Sequence, residues 1–193
     1  DGSGKFISAV FRNPRLMDGV HRFLGRDGLI LGICNGFQAL LKLGLLTHGE
    51  IRPLQEDSPT LTFNRIGRHV ASVITTRVAS NLSPWMSLEE PGTLHQIPVS
   101  HGEGRFVAPP ETLEALFLSG QVAAQYVDDE GRPRRNRPWN PNGSWGAVEA
   151  LSSPDGRVLG KMAHTERVTD GTYRNIPGIV PQRLFEGGVS YFL

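Results

Sequence analysis

A single cysteine occurs in the 193 residues of the chain, at Cys34 within Gly32-Ile33-Cys34-Asn35-Gly36. An apolar run precedes it and a helix-like pattern follows. Glycines spaced around a nucleophile in this way allow a sharp strand-to-helix turn, because the backbone can pass closely without a Cβ clash. The side chain then projects from the carboxyl edge of a sheet and sits at a helix N-terminus. There the dipole favours a thiolate by roughly 0.3–1 kcal/mol. A free thiol with a pKa of about 8.5 is only slightly ionised at neutral pH, so such a nucleophile also needs a histidine. A lone cysteine is equally at home as a small buried hydrophobe, and both readings stand at this point.

Six histidines compete for the partner role: His21, His48, His69, His95, His101 and His164. His21 falls in a helical pattern and His48 in a loop, both read as surface positions. His69 and His95 fall in strand-like runs as core or edge residues. His164 follows the apolar run Val158–Met162 and is two residues before Glu166. In extended chain, residues i and i+2 face the same way, so a carboxylate at Glu166 can fix the imidazole tautomer and stabilise its charged form. The alternative is an exposed polar pair without a role. The sequence has neither a G-x-x-x-x-G-K-[ST] phosphate loop nor a G-x-G-x-x-G fingerprint around the cysteine.

The elements that must position these groups can be read coarsely. Asn13-Pro14 opens a helix whose apolar residues Leu16, Met17, Val20 and Phe23 recur at helical spacing. Leu29–Leu31 is a short continuous apolar strand of the kind buried on both faces. Phe37, Leu40 and Leu41 continue as a helix that Gly44 can end. Further on the pattern is strand-like at 69–75, 93–99, 122–127, 146–149 and 158–162, with one short helix over 112–119. Turn chemistry joins several of these, as at Asp129-Glu130-Gly131 and Ser153-Pro154-Asp155-Gly156. A strand and helix followed by mostly β connections predicts an α/β sheet with an antiparallel portion added late.

Composition sets the outer limits. Hydrophobic residues are 38% and charged residues 20%, the balance of a folded domain, and the length favours one domain with a sizeable core. A formal charge of +1 offers no global field for nucleic acid or a membrane surface. One cysteine excludes an internal disulfide framework and a multi-cysteine zinc site. No apolar run reaches spanning length, the start DGSGKFISAVFRNP has no signal-like apolar core, and a cytoplasmic location is the expectation. Arg132, Arg134, Arg135 and Arg137 form a local basic cluster. It reads either as a solvated turn or as a docking patch for a partner or an anionic substrate.

Four stretches in order, GICNGFQALLKLGLL, SHGEGRF (100–106), NPNGS (140–144) and SPDGRVLGKMAHTER (153–167), together resemble the glutamine-hydrolysing domain of phosphoribosylformylglycinamidine synthases. These are class I, triad-type glutamine amidotransferases of purine biosynthesis. The ending LFEGGVSYFL is similar to the C-terminus of the large single-chain form. The resemblance covers essentially the whole chain, 1–193, as one glutaminase domain. It implies a flavodoxin-like α/β fold: a mostly parallel sheet with flanking helices and an added antiparallel portion.

By that resemblance Cys34 attacks the amide of glutamine, His164 is the general acid and base, and Glu166 orients it. The Asn35 N–H is one oxyanion donor, and Gln38 matches a substrate-contacting position. Ser100, Gly102 and Glu103 fall where relatives hold the two charged ends of glutamine, while His101 matches a structural loop residue. NPNGS reads as a rigid turn framing the glutamine pocket or an interface. The implied partners are glutamine and the synthetase region that consumes the ammonia, with no nucleic acid or membrane. No cofactor or metal is implied for this domain, and ATP and Mg²⁺ belong to the synthetase region. The family's domain starts earlier than Asp1, with strands and a glycine-rich loop that carries the second oxyanion donor. The expectation is therefore a domain without its usual N-terminal elements. Two other readings remain: a different Cys-His hydrolase on the same fold, and a non-catalytic interaction module.

Overall fold

The computed structural model describes residues 2–193. Its first two helices are α1 (Ser3–Phe11) and α2 (Pro14–Gly25), followed by strand β1 (Ile30–Ile33) and helices α3 (Asn35–Leu43) and α4 (Leu45–His48). Strands β2 (Thr60–Phe63), β3 (Val70–Val78), β4 (Leu94–His101) and β5 (Glu103–Val107) come next. Helix α5 (Pro110–Leu118), strands β6 (Val122–Tyr126), β7 (Val148–Ser152) and β8 (Val158–Lys161), and helix α6 (Leu184–Ser190) complete the order.

Six strands form one sheet in the order β1-β8-β7-β6-β3-β4, and β2 and β5 form a separate antiparallel ribbon. The fold is mixed α/β, as the sequence predicts. Among the described residues its parallel part is the β1–β8 pair, Ile30 opposite Val158 to Ile33 opposite Lys161. The antiparallel portion supplies the other four pairings of the sheet and so makes up more of it than the strand pattern suggests.

The helices form where local chemistry directs. Asn13 caps α2 by accepting the Arg15 N–H on its side chain at 3.0 Å, with Pro14 at the first position. Gly44 ends α3 in the left-handed conformation at φ 85°. One face of the sheet packs under α3 and α4, where Phe37, Leu41, Leu45 and Leu46 are fully buried against Val148, Leu151 and Val158. A Cβ at Gly160 on β8 would stand 2.4 Å from the Phe37 ring, so the bare strand is what admits that ring. The opposite face packs Leu159, Ala150 and Ala124 against Met86 and Leu184. There Gly187 and Gly188 of α6 let the Trp85 backbone and indole approach closely. Both faces are covered, which is why β6, β7 and β8 are buried at every residue.

The sequence reading missed α1, α4, β2, β5 and α6, took His48 for a loop residue where it ends α4, and began β7 two residues early. Gly146 lies instead in a short 3₁₀ turn, Trp145–Ala147. No helix among the described residues is long and apolar enough to cross a membrane.

Candidate active site

Cys34 occupies the N-cap of α3 with φ 54° and ψ −104°, a conformation that costs a non-glycine residue roughly 1–3 kcal/mol. The surrounding structure imposes it. Cys34 N–H donates to Lys161 O at 2.8 Å, extending the β1–β8 ladder, while Cys34 O accepts the Gln38 N–H at 3.1 Å and starts the helix. One residue thus ends a strand and begins a helix. Of the two flanking glycines only Gly32 is sterically required. A Cβ there would lie 2.7 Å from the Gly36 carbonyl carbon and 2.4 Å from Leu40 Cδ1, whereas a Cβ on Gly36 meets nothing within 4 Å.

The half-buried thiol donates to Ser100 O at a sulfur distance of 3.9 Å. Burial pushes its pKa above the ordinary thiol value, and the Asn35 backbone N–H, directed at the sulfur, pulls the other way. The protein at rest therefore holds Cys34 as a thiol.

His164 is buried, and its Nδ1 is 2.6 Å from Glu166 Oε1, so these two sequence candidates do pair. The local geometry differs from the expectation. Thr165–Arg167 form a 3₁₀ turn, and the turn rather than an extended strand brings the carboxylate back to the ring. His164 Nε2 is sealed from solvent with no hydrogen-bond partner among the described residues. The Glu166 bond leaves that nitrogen as the one able to take a proton from a neighbouring group.

Strand β4 joins the two halves. Pro98 O accepts the His164 N–H at 2.8 Å, and Ser100 O, two residues on, faces the Cys34 thiol. Successive outward carbonyls of one strand thus hold both groups, although β4 is last in the sheet order and β1 first. The sheet curls until its far strand reaches the carboxyl ends of β1 and β8.

The other predicted positions gather around this junction. Gln38, one helical turn beyond Cys34, is buried and donates its amide to Glu103 O at 2.5 Å, tying α3 to β5. A Cβ at Gly4 would lie 2.5 Å from Gln38 Cβ, so α1 packs directly over this residue. Ser100 Oγ bonds His69 Nε2 at 3.0 Å, and Gly102 O accepts the Asn64 N–H at 2.9 Å in the turn between β4 and β5. Glu103 is buried at the start of β5.

NPNGS fastens that turn from behind. Asn142 Nδ2 donates to Gly104 O at 2.7 Å, and Ser144 Oγ accepts the Phe106 N–H at 3.0 Å and donates to Asn142 Oδ1 at 2.7 Å. Asn140, Asn142 and Ser144 are all buried. The stretch is a rigid turn, as read, and its side chains fix the Ser100–Phe106 segment.

Sequence reasoning overlooked a second buried set. Glu149 Oε1 accepts the Ala163 N–H at 2.8 Å, just before His164. Lys161 Nζ donates to Thr165 Oγ1 at 2.6 Å, just after it, and to Gln182 Oε1 at 2.8 Å. Burial pulls the Lys161 ammonium below its ordinary pKa, while the carboxylates of Glu149, Glu166 and Glu89 act against that. The signal was present: charged residues inside the apolar runs VEAL and VLGKM. Among the described residues no group of three or more His, Cys, Asp or Glu side chains is arranged to hold a metal ion.

Comparison with known proteins gives a consistent picture. Residues 1–192 match the family described as CobB/CobQ-like glutamine amidotransferase domain. The protein from Thermomicrobium roseum named phosphoribosylformylglycinamidine synthase subunit PurQ is 38% identical over 162 residues, 84% of this chain and 63% of its own length. Its namesake from Chlorobaculum tepidum is 35% identical over 178 residues, 92% of this chain and 69% of that protein. The chain thus spans roughly two thirds of the length of these relatives. Among solved structures, that of PurLQS from Thermotoga maritima superposes with a TM-score of 0.69 at 25% identity, covering 96% of this chain and 72% of that one.

Proposed function

The chain belongs to the CobB/CobQ-like glutamine amidotransferase domain family, and on that premise we propose that it hydrolyses glutamine to glutamate and ammonia for a phosphoribosylformylglycinamidine synthase. Cys34 is the nucleophile, His164 the acid and base, and Glu166 the group that holds the imidazole. The observation that carries this reading is the joint use of β4: Ser100 O at the strained Cys34 and Pro98 O at His164, whose Nε2 is buried and free.

The steps follow from these atoms. Glutamine binding brings the thiol proton to His164 Nε2, and the sulfur attacks the side-chain amide carbon. Negative charge develops on the amide oxygen, where the Asn35 N–H, already directed at the sulfur, is one donor. The imidazolium returns its proton to the leaving nitrogen and ammonia departs, leaving a γ-glutamyl thioester. Water, deprotonated by His164, then attacks the thioester; glutamate leaves and the thiol is restored. Ser100, Gly102 and Glu103 surround the position of the amino-acid end of glutamine, and Gln38 holds Glu103 in place.

The acceptor of the ammonia is the synthetase region, which makes formylglycinamidine ribonucleotide from formylglycinamide ribonucleotide with ATP and Mg²⁺; no step in this domain is routed through either. The relatives are named as separate subunits, while the LFEGGVSYFL tail favours a domain joined to its synthetase in one polypeptide. The setting is the cytoplasm.

The test uses the complete synthase. Cys34→Ser is expected to end glutamine-dependent amidine formation while ammonia-dependent formation persists. Persistence of the glutamine-dependent reaction, or loss of both, would overturn the assignment.

A further inference from the structure

The basic cluster noted in the sequence divides in two. Arg132 and Arg134 both bond the buried carboxylate of Asp128, at 3.1 and 2.6 Å through Nε, and Arg132 also reaches Glu130 at 2.5 Å. Burial pushes the Asp128 carboxyl up, but the Arg132 N–H and the two guanidiniums outweigh it and hold it well below the usual carboxylate range. That half of the cluster is a self-neutralised turn. Arg135 has no carboxylate within ion-pair distance among the described residues, and it lines a cavity of about 580 Å³ together with Arg65 and Arg105.

Arg65 donates to Asn136 Oδ1 at 3.3 Å, but neither it nor Arg105 has a carboxylate within ion-pair distance among the described residues, and the two lie side by side over Gly143. A Cβ on Gly143, whose φ is +82°, would stand 3.0 Å from Arg65 Cβ and 3.7 Å from Arg105 Cδ. The missing side chain is thus what lets the two cationic stems share one floor. Arg105 Nε is sealed from solvent and bonded to nothing among the described residues. A desolvated guanidinium donor without an acceptor, beside a second and third cation without counter-charge, is an arrangement that an anion completes. Leu113 and the half-exposed indole of Trp145 give the same cavity an apolar wall.

We propose that this cavity, separate from the Cys34 site, binds a phosphate monoester of a small molecule, a mononucleotide or a sugar phosphate. Three guanidiniums from three chain segments suit a dianion with three acceptor oxygens better than a single carboxylate. The volume falls within the range of small-molecule sites, and Trp145 offers a flat face for a base or sugar. The concave shape, with Arg105 as its sealed donor, favours such a ligand over a flat acidic protein surface. The inference does not depend on glutamine hydrolysis.

Calorimetric titration of the full chain at low salt tests it, with AMP, ribose 5-phosphate and inorganic phosphate as probes and adenosine as control. Saturable binding of AMP or ribose 5-phosphate is expected, with none for adenosine, and with Arg105→Met and Arg135→Met each weakening it by about tenfold or more. Arg135 is exposed on a loop, so its variant tests the site even if Arg105→Met folds poorly. AMP binding tighter than ribose 5-phosphate, with Trp145→Ala removing the difference, identifies a nucleotide; equal binding identifies a sugar phosphate. Absence of binding by either phosphorylated compound at millimolar concentration overturns the proposal, as does binding that Arg135→Met leaves unchanged. So does an Arg135→Met variant that loses only its association with the synthetase, which would make this face a protein contact.

Discussion

Asn142 Nδ2 lies 3.1 Å from His101 Nε2, and the amide cannot turn over to offer its oxygen instead. Asn142 Oδ1 is held by the N–H and the hydroxyl of Ser144, at 3.0 and 2.7 Å. His101 Nε2 must therefore accept, and the imidazole is neutral with its proton on Nδ1. Burial, joined by the charges of His69 and His164, lowers the His101 pKa from 6.5 to about 4.

A pH dependence of stability follows from that depressed value. The unfolded chain takes up a proton near pH 6.5, whereas the folded chain resists until about pH 4. The contribution is fully present above 6.5, is lost as the pH falls to about 4, and amounts to about 3 kcal/mol. Denaturant titrations at pH 7, 5.5 and 4.5 should show this loss, and His101→Gln should flatten the slope. An unaltered slope in that variant would mean that His101 is charged in the fold.

The two glycines of the elbow should respond in opposite ways. Gly32→Ala drives a methyl into Gly36 and Leu40 and is expected to cost about 1–3 kcal/mol, with loss of the Cys34 geometry. Gly36→Ala enters open space on a helix and should be neutral or stabilising by up to about 1 kcal/mol. Thermal unfolding of the two variants side by side decides the matter. Equal destabilisation would refute the asymmetry.

Cys34 should not behave as a preformed thiolate. Burial raises its pKa and its sulfur bonds Ser100 O rather than His164, so alkylation by iodoacetamide should accelerate steadily with pH into the alkaline range. His164→Gln should leave this profile nearly unchanged in the free protein. A rate already at its plateau at pH 6, and lowered by His164→Gln, would show a resting thiolate–imidazolium pair instead.

Lys161 and Glu149 hold the segments on either side of His164, and their charges support each other in a buried region. Lys161→Met leaves Thr165 and Gln182 bonded to one another, at 2.9 Å, but removes a positive charge that supports Glu149. A loss of about 3 kcal/mol is expected, partly recovered in the double variant with Glu149→Gln. Equilibrium unfolding of both singles and the double measures that coupling, and strict additivity would count against it.

How far the sequence reveals this site depends on how local each feature is. The Cys34 elbow was legible because glycine spacing, an apolar run and a helical period all lie within twenty residues. The His164–Glu166 contact followed from their spacing, although a 3₁₀ turn makes it, while the role read for the pair rested on the family resemblance. α1 was missed because its opening Gly2-Ser3-Gly4 reads as a loop, and its Gly2 N-cap makes no side-chain bond. β5 was missed because glycine at 102 and 104 masks its alternation, and a bulge at its start shifts the register against β2. The hold of NPNGS on residues 104–106 could not be read, since it spans some forty residues and depends on tertiary closure.

The curl of the sheet also orders events in time. The thiol meets a carbonyl 66 residues away, and the histidine meets the same strand from the other direction. Contacts of such sequence separation form only after long loops have closed, and so they come late in folding. While β4 is undocked, the chain carries a cysteine and an imidazole that have not been introduced to each other. The proposed hydrolysis, which needs both groups, is therefore expected only once β4 has docked.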